Sequence, residues 1–223
     1  MKIFLRILSI LLVVAIPIVT ICLGINVATR MPDVYQYEFK STDILDSMNI
    51  DLTDDEMGEF ISHFMMGRTS QFQLWTEDDD KPDPVFSNDE MAAASQLRHD
   101  LNVLTIVSMI LIIPMLIAFI LLRRKELNQE IRKYYCRGLL LYVILLIVAV
   151  ISITLLSSAE FTIWHLTDYV VKEETTDLLP QLITEGLVRK IELASLCISG
   201  VFMGIIGYVI YKITAPKRIF SRN

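Results

Sequence analysis

Residues 101–122 read LNVLTIVSMILIIPMLIAFILL, a run with no Asp, Glu, Lys, Arg or His. A hydrocarbon core about 30 Å thick takes roughly 20 helical residues to cross, so this run is long enough to span it. Three more uncharged runs of similar length lie at 7–29, 138–159 and 193–211. In lipid each can satisfy its own backbone N–H and C=O groups only as a helix. The sequence therefore predicts an all-α polytopic membrane protein with four transmembrane helices and a small α-helical extracytoplasmic cap. Composition agrees: a 223-residue chain that is 53% hydrophobic, with mean hydropathy +0.51, is too apolar for an ordinary soluble domain.

The expected division is a first transmembrane helix over 1–29, the cap over 30–100 and a second helix over 101–122. A loop over 123–137, a third helix over 138–159, a loop over 160–192, a fourth helix over 193–211 and a tail over 212–223 follow. The first run is preceded by Lys2 and Arg6, as a secretory signal would be. It is nevertheless longer than the roughly 7–15 residues of a signal's apolar region, and no A-x-A cleavage pattern follows, so it is read as a span. Cys22 lacks the small residues a lipoprotein-type cleavage site needs before it, being preceded by Val19, Thr20 and Ile21. The three cysteines, Cys22, Cys136 and Cys197, form no disulfide framework and are read as packing residues.

Charge sets the orientation. The N-terminal basic pair, the 123–137 loop and the tail from Lys212 together carry +10, whereas 30–100 and 160–192 carry −16, which accounts for the net −6. By the positive-inside rule, both termini and the middle loop are cytoplasmic and the two acidic segments face outward. Basic residues confined to short loops beside the membrane are ordinary topology and imply no nucleic acid.

Within the outer segment, Ser41 or Thr42 is expected to cap a short helix running to about Met48. Thr53-Asp-Asp-Glu56 is a capping box, and Met57, Phe60, Ile61, Phe64 and Met65 then recur on one helical face, closed by Gly67. His63 falls opposite that face and reads as a solvated side chain. Phe72-Gln-Leu-Trp75 and Pro84-Val-Phe86 flank an acidic turn that is either a small hairpin or an irregular loop. The spacing of Asp78–Asp80 and Asp83 does not match a calcium loop, so no metal is assigned. A second capping box, Ser87-Asn-Asp-Glu90, opens a helix expected to continue through Arg98-His-Asp100 into the second span. Pro17 and Pro114 free the carbonyls of Val13 and Ile110 inside their spans. Gly200-x-x-x-Gly204, with Ser199 and Gly207, offers a small-residue face for close helix packing.

The chemistry-bearing residues concentrate just past the third span, where the chain reads FTIWHLTDY over 161–169. At 3.6 residues per turn His165 shares a face with Ser158, Thr162, Asp168 and Tyr169, and Trp164 is a natural anchor at headgroup depth. One reading is a polar helix end meeting water. The other is that His165 exchanges a proton with an amine or hydroxyl, Asp168 fixing its tautomer.

The segment Phe161-Thr-Ile-Trp-His165 is similar to an F-x-x-[FW]-H pattern of the lipoprotein intramolecular transacylases (Lit) of Gram-positive bacteria. Thr176-Asp-Leu-Leu179 and Glu185, the acidic helix EMGEFISHFMMG at 56–67, and Phe86-Ser-Asn-Asp-Glu90 also resemble the layout of that family. The resemblance implies acyl transfer from the diacylglyceryl group of a bacterial lipoprotein to the amine of its own N-terminal cysteine. Membrane lipids and lipoproteins would be the partners, and no cofactor would be needed. It makes His165 the base and places Thr162, Trp164, Tyr169 and Glu185 near the substrate.

Three departures matter. Where the family has a histidine three residues after the motif glutamate, this chain has Ala93; Gln96 stands where an aspartate follows in that pattern; and Thr184 stands where a proline precedes the second acidic residue. His99 is the candidate replacement, although six residues make about 1.7 helical turns and aim it roughly 240° from the face of residue 93. Arg98 keeps the family's charge and is the candidate to hold an oxyanion or a lipid phosphate. A catalytically silent relative that binds lipid or lipoprotein, or serves as an accessory subunit, is the alternative.

Overall fold

The computed structural model describes residues 2–48, 50, 52–75, 84–155 and 178–215. Among these, helix α1 covers Lys2–Ala28, α2 Pro32–Thr42, α3 Ile44–Ser47, α4 Asp54–Met65, α5 Asn88–Arg124, α6 Asn128–Leu155, α7 Leu179–Leu182 and α8 Glu185–Thr214. Four of them, α1, α5, α6 and α8, are long and apolar enough to cross a membrane.

Helix α1 is the axis of the bundle. Its apolar window is 56% buried within the protein, against 11% for those of α5 and α6, which turn most of their surface to lipid. Polar side chains on α1 satisfy themselves locally, as lipid requires: Thr20 Oγ1 donates to the Pro17 carbonyl (2.8 Å) and the Asn26 amide to the Cys22 carbonyl (3.2 Å). Where Pro17 removes a backbone donor, α6 closes in. A Cβ built on Gly138 would lie 3.3 Å from the Val13 carbonyl oxygen.

Small residues do bring helices together, and on the expected face it is Ser199 and Gly207 that do so, a Gly207 Cβ colliding with the Tyr135 hydroxyl of α6, rather than Gly200 and Gly204. Nothing lies within 4 Å of where a Gly204 Cβ would stand, and at Gly200 the nearest atom is Tyr142 Oη at 3.6 Å. A second tight contact is between α1 and α8, where a Gly24 Cβ would collide with the Ser195 carbonyl and come within 2.8 Å of Ser199 Cβ. Ser199 also shares a 2.8 Å hydrogen bond with the Tyr142 hydroxyl of α6, so one turn of α8 serves two neighbours. Gly24→Ala is expected to destabilise the bundle by about 1–3 kcal/mol through overpacking, whereas Gly204→Ala should change little. Thermal unfolding in detergent micelles compares the two, and equal midpoints would contradict this account.

In the cap, the short helix expected to run to about Met48 forms as α3, with Asp43 rather than Ser41 or Thr42 before its first residue, and an unexpected helix, α2, ends at Thr42. Pro32 opens α2 in its first turn, where a missing N–H costs nothing. Asp43, at φ 48°, breaks the chain between α2 and α3. The capping box at Thr53 and Glu56 forms as expected, and Gly67 at φ 76° terminates α4 in the left-handed conformation. Met57, Ile61, Phe64 and Met65 are buried and Phe60 is half-buried. The ring of Phe72 sits at the centre of the cap core, with those of Phe86, Phe64 and Phe60 at 4.7, 5.0 and 5.1 Å. Trp75 and Pro84 form an antiparallel bridge, while the acidic turn between them lies outside the described residues. Helix α5 runs unbroken from its capping box at Ser87 and Glu90 through Pro114 to Arg124, joining cap to membrane as one rod.

Candidate functional site

The cap-side end of the bundle holds three polar or apolar features that the long helices bring together. The first is a pair of buried carboxylates. Glu90, 2% exposed, completes its capping box through Oε2, and its Oε1 accepts from the Leu179 N–H of α7 at 2.7 Å. Glu38 on α2, also 2% exposed, accepts from the Thr184 hydroxyl at 2.7 Å and pairs with Lys190 at 2.5 Å. The α7 turn is thus held at its first residue and just beyond its last.

The second feature is an apolar cavity of about 130 Å³ beneath the cap. Thr29 just beyond α1, Met65 of α4, Leu101 of α5, and Leu179 and Leu182 of α7 contribute to its walls. Tyr35 also faces it; burial pushes its phenol pKa well up, and the hydroxyl is fixed by donation to the Thr29 carbonyl at 2.6 Å.

The third feature is a cation. Arg30, one residue beyond Thr29, donates through Nε to the Met65 carbonyl (3.2 Å), through Nη1 to Asn26 Oδ1 and through Nη2 to Asn102 Oδ1 (3.0 Å). Thr105 Oγ1 lies 3.5 Å from both terminal nitrogens. The ion pairs among the described residues use Lys40, Lys133, Arg189 and Lys190. Arg30 is surrounded by neutral acceptors, and burial is the main influence on it, pulling its pKa below the ordinary value.

The residues singled out from the sequence divide between places. Arg98 donates to the Thr69 carbonyl at 2.9 Å and lies 4.4 Å over the Phe64 ring, fastening the loop after α4 to α5. His99 is exposed, and Ala93 is buried in the cap core, so the two do face apart. Glu185 begins α8 and pairs with Arg189 at 2.7 Å. Thr162, Trp164, His165, Asp168 and Tyr169 lie outside the described residues. His63 is half-buried, its Nε2 3.1 Å from an Arg68 terminal nitrogen. Sequence reasoning missed Arg30, Glu38 and the second task of Glu90. The signal available for Arg30 was an arginine placed directly after an apolar run containing Asn26.

A four-helix membrane bundle with an apolar chamber, flanked by a cation, under an α-helical cap defines the class of protein. Residues 10–168 match the family described as lipoprotein intramolecular transacylase Lit, and the chain belongs to that family. The fold is that of solved structures of the membrane integral lipoprotein intramolecular transacylase Lit from Bacillus cereus. A histidine-to-arginine variant of that protein superposes with a TM-score of 0.71 at 19% identity, covering 99% of this chain and 96% of the other. A second structure gives 0.72 at 18% identity, covering 96% and 97%. A histidine-to-alanine variant gives 0.65 at 18% identity, covering 96% and 93%. No curated protein matches the chain.

Proposed function

We propose that this multi-pass membrane protein moves an acyl chain from the diacylglyceryl group of a bacterial lipoprotein to the α-amino group of the lipoprotein's own N-terminal cysteine. The observation that carries the reading is the family match, which extends to residue 168 and so includes the Phe161–His165 motif. The base would be His165, oriented by Asp168, with Thr162, Trp164, Tyr169 and Glu185 near the substrate and Arg98 or His99 as secondary candidates. An apolar cavity beside a cation at the end of four lipid-facing helices suits an amphiphilic substrate. Mass spectra of lipoprotein N-terminal peptides from cells with and without the protein test the reading. The N-acylated lyso form should require its presence.

Buried Ala93 favours a second reading, a silent relative that binds lipid or lipoprotein, because that core position carries no proton-transferring group. Cells in which the lyso form does not depend on the protein would bring that reading forward.

The site works on outer-leaflet substrates only if the cap is extracytoplasmic, the orientation the charge asymmetry supports. Cysteines placed at Asp80 and Glu130 should react with an impermeant maleimide in intact cells at 80 and not at 130. The reverse pattern would place the cap in the cytoplasm.

A further inference from the structure

An arginine at the end of a transmembrane helix ordinarily stretches toward water and headgroups. Arg30 does the opposite. Its guanidinium turns back along α1 to Asn26, inside the first apolar run, and across to Thr105, inside the second. An ionisable group held at the apolar layer is costly and marks a functional site unless it is compensated. Here the compensation comes from neutral acceptors alone, and part of it is weak. Of the five N–H donors of a guanidinium, three meet the Met65, Asn26 and Asn102 acceptors within 3.2 Å, and the other two share the single Thr105 Oγ1 at 3.5 Å. Thr105 Oγ1 itself faces Asn26 Oδ1 at 2.5 Å and the Leu101 carbonyl at 2.9 Å.

The same residues border the apolar cavity. Met65, whose carbonyl receives Arg30 Nε, and Leu101, whose carbonyl receives Thr105, both line it, as does Thr29 next to Arg30. A cation with no carboxylate partner and two long bonds that a better acceptor would replace, beside an apolar chamber, matches a ligand with an oxygen that carries or gains negative charge at the root of an alkyl chain. We propose that Arg30 receives the carbonyl oxygen of the acyl ester and stabilises the oxyanion formed on it, with the acyl chain entering the cavity walled by Met65, Leu101 and Leu179.

This proposal rests on the acyl-transfer reading. The amine nitrogen attacks the ester carbonyl carbon, a C–N bond forms and the C=O π pair moves to the oxygen facing Arg30. When the intermediate collapses, that pair re-forms C=O, the C–O bond to the glyceryl group breaks, and the released oxygen takes the proton lost by the amine. Asn102 is a positioning residue, holding Nη2 at the exposed edge of the site.

Two variants test it. Arg30→Gln removes the charge; Asn102→Asp keeps an acceptor for Nη2 but sets a carboxylate against the guanidinium. A purely structural arginine would tolerate or benefit from that carboxylate, whereas an oxyanion site would be neutralised by it. The probes are hexadecylphosphonate monoanion, a stable mimic of the tetrahedral species, and its neutral dimethyl ester, with affinity for the purified protein measured in detergent. The parent should prefer the anion at least tenfold, and both variants should lose the preference. Asn102→Asp should unfold at the parent's temperature or above. Its kcat for lipoprotein conversion should fall tenfold or more, since loss of a preorganised oxyanion donor costs roughly 10²–10³, with KM changing less. An anion preference absent from the parent, or unchanged in Asn102→Asp, would overturn the site. A parent that shows the Arg30-dependent preference but converts no lipoprotein would overturn the reaction while supporting the anionic site.

Discussion

His165→Ala is expected to abolish detectable conversion of diacylglyceryl lipoprotein to the N-acylated lyso form while leaving the protein inserted in the membrane. A positioned general base contributes roughly 10²–10⁴-fold in rate, and alanine is the residue a helix tolerates best. His165→Gln should fail equally, because it keeps hydrogen bonding but takes no proton near neutral pH. His99→Ala is the paired control. Exposed on α5, on a face turned away from buried Ala93, His99 should matter less. Purified protein and a synthetic diacylglyceryl-cysteine peptide suffice for the assay, read by mass spectrometry. Conversion at the parent rate by both His165 variants would end the general-base assignment.

What the sequence disclosed and what it concealed follow from the range of the interactions. The four spans, both capping boxes and the stop at Gly67 depend on residues within a few positions of one another, and all were legible. Helix α2 was missed because its polar sequence, PDVYQYEFKST, gives a weak apolar stripe that buries only Tyr35, Glu38 and Phe39. Pro32 at its start was the overlooked signal. The small-residue face of Ser199, Gly200, Gly204 and Gly207 was drawn from spacing within one helix, and only Ser199 and Gly207 of it meet close neighbours. The partner surfaces, Gly24 on α1 and Tyr135 on α6, decide which small residues of α8 are used. The partners of Arg30 and Glu38 became visible only in three dimensions. Glu38 meets Thr184 across 146 positions, and Arg30 meets Thr105 across 75. Such contacts have no periodicity to betray them.

Glu90 shows how a local motif can carry a distant task, and Glu90→Ala is expected to have the largest effect on stability of any single change in the cap. The capping box explains only one of its oxygens: Oε2 accepts from the Ser87 N–H at 2.7 Å, in the first turn of α5, where the helix dipole favours a negative charge. Oε1 reaches the Leu179 N–H at 2.7 Å, where the chain enters α7 after the segment that carries His165. Hydrogen bonds to a charged group are worth about 1.5–3 kcal/mol each, and alanine would orphan the buried Leu179 amide and leave a space where the buried Glu90 side chain stood. A loss of roughly 3 kcal/mol or more follows. Glu90→Gln should lose less, because its carbonyl oxygen can still serve one of the two amides while its NH2 faces the other. Thermal unfolding in micelles gives the overall cost, and hydrogen exchange at the Leu179 amide isolates the contact, which should exchange much faster in Glu90→Ala. If α7 steers the segment before it, conversion should fall with that protection, Glu90→Gln lying between parent and alanine. Unchanged exchange at Leu179 in Glu90→Ala would mean that the carboxylate caps α5 and does not hold α7.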